Sequence, residues 1–175
     1  MTALIESERL ILRELKEKDL SGFYKIRSNE QTSLYIDREI PKNENEALLI
    51  LRNLIERCLK HKWYIWGIFK KNNNELIGTY CLWNFTNDRT KGEIGFEVLP
   101  EFQRMGFISE ATDEVMKFCK EKLGVKILEG YADAENLSSI NLLLKKGFRF
   151  HSQKKETTKY SGKDRIISIY QFENK

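Results

Sequence analysis

Hydrophobic positions recur with strand-like alternation in some stretches of the chain and with helical period in others. Residues 9–13 alternate well enough for a short strand, and apolar positions over residues 19–28 are spaced for one face of a helix. Asn43 and Glu46 form a cap-like pair, and an apolar stripe at helical period follows them as far as Leu59. This part of the chain therefore predicts one strand and two helices.

The middle of the chain has the pattern of strands joined by turns. Aromatic and β-branched residues fill positions 63–69 and 76–85, with a Lys-Lys-Asn-Asn-Asn turn between them. The next strand alternates strictly, so that Glu93, Gly95 and Glu97 share one of its faces. The prediction for this region is an antiparallel meander.

Further along, strands alternate with helices. A helix is predicted over residues 108–123, a buried strand over residues 127–132 and a short helix over residues 136–146. Residues 148–150 and 165–172 have the character of two closing strands. The predicted fold class is α+β, with a mixed, largely antiparallel sheet flanked by helices and one β-α-β crossover.

Length and composition narrow the classes of protein to which this chain can belong. A chain of 175 residues suits a single domain over residues 1–175, and 41% hydrophobic residues argue against disorder. Three widely spaced cysteines have neither metal-ligand nor disulfide spacing, so no metal site is predicted. The first fifteen positions lack the apolar core of a signal peptide, and we expect a cytoplasmic protein without membrane contact. A net charge of +4 mildly favours an anionic partner.

The most informative stretch is residues 99–111, Leu-Pro-Glu-Phe-Gln-Arg-Met-Gly-Phe-Ile-Ser-Glu-Ala. A strand ends at a proline, and a short loop with Gly106 leads directly into a helix. The free N–H groups and positive dipole end of such a helix suit a phosphate or pyrophosphate. The stretch is neither a P-loop nor a dinucleotide-binding fingerprint, because the residues that define those motifs are missing. An ordinary strand-to-helix loop is the alternative interpretation.

The loop also resembles a family signature. The pattern Gln103-x-x-Gly106-x-Ile108 resembles the Q/R-x-x-G-x-G/A motif with which GCN5-related N-acetyltransferases bind the pyrophosphate of acetyl-CoA. Ile108 departs from the motif, because the family has a small residue there. A β-branched side chain at this position could constrict the loop, although only backbone N–H groups are needed for binding.

Other segments resemble the same family in the right order, and together they cover about residues 7–172. They are Glu-Ile-Gly-Phe at 93–96, Asn-Leu-Ser-Ser at 136–139 and Leu-Lys-Lys-Gly-Phe at 144–148. The opening Glu-Arg-Leu-Ile-Leu-Arg at 8–13, with Asp19, resembles the branch related to ribosomal-protein N-terminal acetyltransferases.

The resemblance implies a sheet whose fourth strand (93–99) splays from the fifth (127–132), with the pantetheine of acetyl-CoA in the gap. Backbone groups would bind the pantetheine and the pyrophosphate, and Asn136 would contact the cofactor arm unless it only caps its helix. The implied cofactor-binding residues are Val98, Leu99, Gln103, Arg104, Met105, Gly106, Phe107, Ile108, Ser109 and Asn136.

Catalysis in such a site needs a proton acceptor, an oxyanion donor and a proton donor for the thiolate. Glu93 matches the family's frequent general base, with Glu97 on the same face or a water as alternatives. Sharing a face, the two carboxylates could raise each other's pKa; otherwise they are solvent-facing or paired with lysines. A strand N–H near Val98 would stabilise the oxyanion. Leu143 stands where many members have a tyrosine that acts as the general acid. The resemblance therefore implies Ser139 as the acid. The alternative is that Ser139 only satisfies a backbone group.

The leading hypothesis is an acetyl-CoA-dependent N-acetyltransferase that acts on a primary amine by direct transfer in a ternary complex. The acceptor would be a protein N-terminus or a small amine, and the protein a monomer or homodimer. The acidic residues that would suit a cationic acceptor are Glu30, Asp37, Glu39, Glu44 and Glu46. The basic residues over 145–165 could meet the 3′-phosphate. The alternatives are a catalytically degenerate CoA-binding regulatory module and a ribosome- or nucleic-acid-binding domain.

Overall fold

The computed structural model describes residues 4–174, so the first three positions considered for a signal peptide lie outside it. Its helices are α1 (Leu20–Ser28), α2 (Glu30–Ser33), α3 (Glu44–His61), α4 (Phe107–Glu121) and α5 (Leu137–Lys145). Its strands are β1 (Ile5–Glu6), β2 (Leu10–Glu14), β3 (Tyr64–Lys70), β4 (Leu76–Trp83), β5 (Lys91–Val98), β6 (Ile127–Asp133), β7 (Arg149–Thr157) and β8 (Asp164–Glu173). Among these residues no helix is both long and apolar enough to cross a membrane.

The strands form one eight-stranded sheet in the order β1-β2-β3-β4-β5-β6-β8-β7. Only the β5–β6 pair is parallel, and α4 makes the crossover between them. The predicted mixed, largely antiparallel sheet with one crossover is therefore confirmed. The two-residue strand β1 was not predicted, and it shifts the numbering, so that the family's fourth and fifth strands are β5 and β6 here.

Both faces of the sheet are covered by apolar packing. On one face α4 contributes Val115 and Cys119 to a cluster that includes Leu128 of β6. On the other face Phe23 of α1 and Leu51 of α3 pack together. Truncating a fully buried leucine such as Leu51 to alanine typically costs about 2–5 kcal/mol. The sheet is thus held rigidly between two helical layers, which fixes the position of any site on β5.

The first long helix begins as the sequence predicts. The Asn43 side-chain oxygen accepts the N–H of Glu46 at 3.0 Å, and the Glu46 carboxylate accepts the N–H of Lys42 at 2.8 Å. These reciprocal bonds satisfy two backbone donors at the start of α3. Glu46, which was considered as part of an acidic acceptor wall, therefore serves the helix start.

The parallel pair separates soon after it forms. Residues 91–94 of β5 pair with residues 127–130 of β6, and the last paired positions are Ile94 and Gly130. Beyond them β5 runs on to Val98 and β6 to Asp133 without pairing to each other. This divergence is the predicted splay, and it opens a gap in the middle of the sheet.

Candidate active site

The backbone of β5 presents free hydrogen-bonding groups to this gap. The Leu99 N–H donates to the Ile77 carbonyl at 2.9 Å, which places the odd-numbered peptide groups of β5 toward β4. The peptide groups of Phe96 and Val98 therefore face away from β4, where β6 has already diverged. The Val98 carbonyl accepts a long bond of 3.4 Å from the Gln103 amide. Leu99 differs, because its N–H is engaged and its side chain is 1% exposed.

The loop after β5 ends in a helix start with unpaired donors. Gly106 occupies the N-cap position with φ +81°, and Arg104 before it also has a positive φ of +59°. The Glu110 N–H donates to the Gly106 carbonyl at 3.0 Å and makes the first helical bond of α4. The N–H groups of residues 107–109 therefore lie free at the positive end of the helix dipole. Such an end is suited to bind an anion.

Arg9 holds this loop in place, a role that sequence patterns did not reveal. Its guanidinium forms an ion pair with Glu110 at 2.6 Å and donates to the Met105 carbonyl at 3.1 Å. It also stacks over the Phe107 ring, which is buried beneath it. Ile108 is half-buried and packs against the core cluster, so its extra bulk is directed into the protein.

A cleft of about 500 Å³ opens on the α1–α3 face of the sheet beside the gap. It brings together the candidate acid Ser139 and the candidate bases Glu93 and Glu97, although Ser139 lies 46 positions after Glu93 in the sequence. Six of the lining residues carry the argument below: Arg27, Arg38, Glu93, Glu97, Tyr131 and Ser139.

Glu93 is half-buried and has no cationic ion-pair partner among the described residues. Its pKa is raised above the ordinary 4.5, chiefly by burial and further by the charge of Glu129. The Asn84 amide, which donates to it at 2.8 Å, opposes this rise. The Trp83 indole N–H approaches the carboxylate and opposes the pKa rise too, although it does not reach hydrogen-bond geometry. A carboxylate in this state is well suited to accept a proton.

Glu97 is bound on every side. Arg38 contacts one carboxylate oxygen at 2.5 Å, and the Thr79 hydroxyl donates to the other at 2.7 Å. Arg27 lies 3.6 Å away. Burial acts to raise the pKa of Glu97, but Arg27 and Arg38 outweigh it and hold the pKa below its usual value. The expectation that Glu93 and Glu97 raise each other's pKa is wrong for Glu97, because four residues of strand separate the two backbones by about 13 Å.

Ser139 and Asn136 lie at the start of α5, at the mouth of the same cleft. The Asn136 side-chain oxygen accepts the Ser139 N–H at 3.1 Å, so Asn136 is a helix cap in this structure. The Ser139 hydroxyl has no hydrogen bond within the described residues and is free to meet a ligand. Leu143 is buried against Gly130, where a Cβ would lie 2.5 Å from the leucine.

Tyr131 was not singled out in the sequence, yet it lies in the cleft. Its hydroxyl donates to Glu129 at 3.2 Å. Burial raises the pKa of Tyr131 to about 12, and the nearby charges of Glu129 and Glu93 add to the effect. The tyrosine therefore remains protonated at neutral pH. The alternation of β6 could have revealed it, because odd positions of that strand share a face.

The segment over residues 34–42 forms a wall of the cleft and ties it to the far hairpin. The Asp37 carboxylate accepts the backbone N–H groups of residues 159–160 at 2.6 and 3.1 Å. The Arg165 guanidinium donates to the Tyr35 carbonyl at 3.0 Å. Asp37, which was expected to suit a cationic acceptor, is thus used to anchor this wall.

The basic residues of the closing hairpin are partly neutralised. Four of the cations considered for the 3′-phosphate form ion pairs with carboxylates, which lowers their value as phosphate ligands. The pairs are Lys146–Asp113 at 2.6 Å, Lys154–Glu156 at 3.1 Å, Lys155–Asp164 at 2.7 Å and Arg165–Glu156 at 3.2 Å.

A splayed parallel pair beside a helix start with free N–H groups is the arrangement of the acyl-CoA N-acyltransferase fold. Comparison with known proteins agrees. Residues 9–149 match the family model of the acetyltransferase (GNAT) domain. YoaA of Bacillus subtilis strain 168, named as an N-acetyltransferase, is 29% identical over 149 residues, 85% of this chain and 84% of YoaA. The chain belongs to the GNAT family and is an N-acetyltransferase.

Solved structures share the fold at low sequence identity. A GNAT-family acetyltransferase from Bacillus anthracis superposes with a TM-score of 0.85 at 18% identity, over 98% of both chains. RimL, a ribosomal L7/L12 alpha-N-protein acetyltransferase in complex with coenzyme A, superposes with a TM-score of 0.86 at 16% identity, also over 98% of both chains. At these identities the likeness concerns the fold alone.

Proposed function

We propose that this chain, as one domain over residues 1–175, transfers the acetyl group of acetyl-CoA to a primary amine by direct transfer in a ternary complex in the cytoplasm. The observation that carries the proposal is that three features lie along β5 and the loop that follows it. They are the free peptide groups of β5, the unpaired N–H groups at the start of α4 and a half-buried Glu93 without a cationic ion-pair partner among the described residues. Each supplies one requirement of amine acetylation.

The residues proposed to bind acetyl-CoA form two groups. The peptide groups of Val98 face the gap and would bind the pantetheine. Leu99 would contribute only its carbonyl oxygen, because its N–H is already engaged. The N–H groups over residues 104–109 would bind the pyrophosphate, because they are unpaired at a helix start. Gln103 would position the loop through Val98, and Asn136 would reach the cofactor only with its amide NH₂, since its oxygen caps α5.

In the reaction, Glu93 takes a proton from the acceptor ammonium, directly or through water, and leaves a neutral amine. The amine nitrogen attacks the thioester carbonyl carbon, and the Val98 N–H donates to the oxygen as it gains negative charge. The carbon–sulfur bond then breaks with its electron pair on sulfur, and the nitrogen, positively charged after the attack, loses a proton to solvent to become the amide nitrogen. Ser139 donates its hydroxyl proton to the thiolate and recovers one from solvent. The products are the N-acetylated amine and CoA.

Two classes of acceptor amine suit this cleft. The similarity of the fold to RimL supports an α-amine at a protein N-terminus. A small primary amine is the other candidate, because GNAT-type clefts vary their acceptors through loops such as residues 34–42.

Leu143 favours one alternative function. A leucine cannot donate a proton, and Leu143 is buried against Gly130. The chain could therefore bind acetyl-CoA as a regulatory module without turning it over. The two functions differ in whether thiol is released.

The test compares two glycines that share a backbone conformation. Gly106→Ala places a Cβ at φ +81° in the phosphate-binding loop, whereas Gly124→Ala places one at φ +65° with no atom within 4 Å. Titration calorimetry with acetyl-CoA should show at least a tenfold weaker Kd, about one lost charge-assisted hydrogen bond, for Gly106→Ala only. Equal affinity in both variants would contradict the assignment of the loop.

Turnover is then measured as free thiol released from acetyl-CoA against a panel of N-terminal peptides and small amines. Release that depends on an amine supports the transferase. Binding of acetyl-CoA with no thiol released by any amine would favour the regulatory module, and no binding at micromolar concentration would refute both.

A further inference from the structure

Arg27 is a cation in the acceptor cleft that the protein leaves without a hydrogen bond. Its side chain is only 16% exposed, and its Nε is buried without a partner among the described residues. None of its other nitrogens makes a hydrogen bond there either. Its closest approach to a carboxylate is the 3.6 Å to Glu97, and it lies over the Phe23 ring at 5.1 Å. A guanidinium has five donors, and the four on the terminal nitrogens of Arg27 remain for a ligand, whereas its Nε–H is buried.

The charges around Arg27 do not balance. Within residues 4–174, Glu97 is the one carboxylate at ion-pair distance from it, and that carboxylate is already bound by Arg38 and the Thr79 hydroxyl. Arg38 has a side chain only 9% exposed, so two guanidiniums share one negative charge in a poorly solvated place. Burial lowers the pKa of Arg38, Glu97 opposes this, and the charge of Arg27 lowers it further. An uncompensated buried cation is costly unless a ligand neutralises it.

The other acids of the cleft are not available to Arg27. Asp37 is bound by backbone N–H groups of the far hairpin, and Glu156 pairs with Arg165 and Lys154. Asp133 accepts the Glu135 N–H, and Glu93 accepts from Asn84, which follows β4. The Cys81 thiol, which also lines the cleft, donates to the Gly95 carbonyl at 3.2 Å.

We infer that the acceptor amine carries a carboxylate close to its nitrogen, and that Arg27 binds this carboxylate. The inference rests on the proposed function and narrows its substrate class. A guanidinium binds a carboxylate through two parallel N–H···O bonds, which match its planar fork. The group must lie within a few bonds of the amine, because Glu97, the neighbour of Arg27, directly precedes Val98 at the reacting end of β5. The acceptors of this class are free amino acids and polypeptides that begin with Asp or Glu.

The test uses pairs of acceptors that differ only in the carboxylate. Amino acids are compared with their carboxamides, and peptides beginning with Asp or Glu with those beginning with Asn or Gln. We expect kcat/KM to favour the carboxylate member of one of these two sets by about ten- to a hundredfold, the value of a charged hydrogen-bonded pair. The set that shows the preference identifies the source of the carboxylate.

Arg27→Gln should remove the preference, and Arg27→Lys should restore it in part, because lysine keeps the charge and loses the fork. Arg52→Gln is the matched control, since Arg52 is 55% exposed on α3 and pairs with Glu17. It should keep the full preference. Thermal unfolding of each variant confirms that it is folded.

A second measurement is independent of turnover. Saturation-transfer NMR uses two probe pairs, N-acetyl-L-alanine with N-acetyl-L-alaninamide and N-acetyl-L-aspartic acid α-amide with N-acetyl-L-asparagine amide. The carboxylate member of one pair should bind the wild type more tightly and lose this advantage in Arg27→Gln. Equal use of acids and amides in both acceptor sets, or equal binding within both probe pairs, overturns the inference while acetyl transfer stands. Absence of acetyl-CoA binding refutes the proposed function, and the NMR comparison still decides the role of Arg27.

Discussion

Glu93 and Glu97 are the same residue type on the same face of the same strand, yet their surroundings are opposite. Glu93 is half-buried, receives one amide hydrogen bond from Asn84 and has its pKa raised by burial. Glu97 is buried among Arg27, Arg38 and Thr79, which together hold its pKa low. The strand determines only which way each side chain points, and the partners determine what the carboxylate can do.

The difference shows how one strand separates catalysis from support. A carboxylate without a cation can gain a proton at small cost, whereas one that neutralises two guanidiniums cannot gain it without leaving them unpaired. Glu97 therefore fastens the wall at Arg38 to the centre of the sheet, and Glu93 remains available for proton transfer.

The largest expected effect is on the rate of acetyl transfer. Glu93→Gln keeps the shape of the side chain and removes the base, so we expect kcat to fall by about 10²- to 10⁴-fold with little change in acetyl-CoA affinity. The measurement is thiol release with a preferred amine, together with calorimetry of acetyl-CoA. Glu97→Gln, assayed where it is folded, should lose less activity. A Glu93→Gln variant with wild-type kcat would assign the base to water or to another residue.

The next largest effect is on stability, and here the substitution of Glu97 should matter more than the substitution of Glu93. Glu97→Gln leaves two guanidiniums without a counter-charge, so the free energy of unfolding should fall by about 3–5 kcal/mol. Urea denaturation at neutral pH measures it, with Glu93→Gln as the matched control. Adding Arg38→Gln to Glu97→Gln should recover part of the loss. A free energy of unfolding in Glu97→Gln equal to that of Glu93→Gln would mean that the ion pairs contribute nothing.

The two glutamates should also differ in what depends on pH: activity in the case of Glu93 and folding stability in the case of Glu97. Because the pKa of Glu93 lies above 4.5, kcat/KM should rise with pH through a value above that point, and this limb should be missing in Glu93→Gln. Glu97 has a lowered pKa in the folded state, so its contribution to stability is present above pH 4.5 and is lost as the pH falls toward the folded-state value. Denaturation midpoints across acidic pH, in wild type and Glu97→Gln, test the second part.

The smallest expected effect is a gain in the stability of the folded state. A glutamate whose pKa is raised on folding destabilises the folded state above its unfolded pKa, since ionisation is harder there. Glu93→Gln should therefore be slightly more stable than wild type at neutral pH, by less than about 1 kcal/mol, a size usual for mild substitutions. Scanning calorimetry at pH 7 and pH 4 should show this gain shrink at the lower pH. A loss of stability at pH 7 would mean that the Asn84 hydrogen bond outweighs burial.

Much of the site could be predicted from local pattern. Strict alternation places Glu93 and Glu97 on one face, and a glycine between a strand end and a helix marks the loop with free N–H groups. The cap pair at Asn43 is equally local. Long-range partners were not predictable: Arg38 is 59 positions from Glu97, and Arg9 is 101 positions from Glu110. With 30 lysines and arginines in the chain, spacing alone cannot choose the partner.

Apart from the short elements β1 and α2, the sequence by itself determined the order of strands and helices, the face on which the two glutamates lie and the phosphate-type loop at Gly106. These features depend on periodicity and on backbone preferences within a few residues. Only the tertiary structure decided that Glu97 would be neutralised, that Glu93 would keep a raised pKa and that Arg27 would be left without a hydrogen bond. Burial and ion pairing depend on which distant segments meet, and that is set when the helices pack onto the sheet.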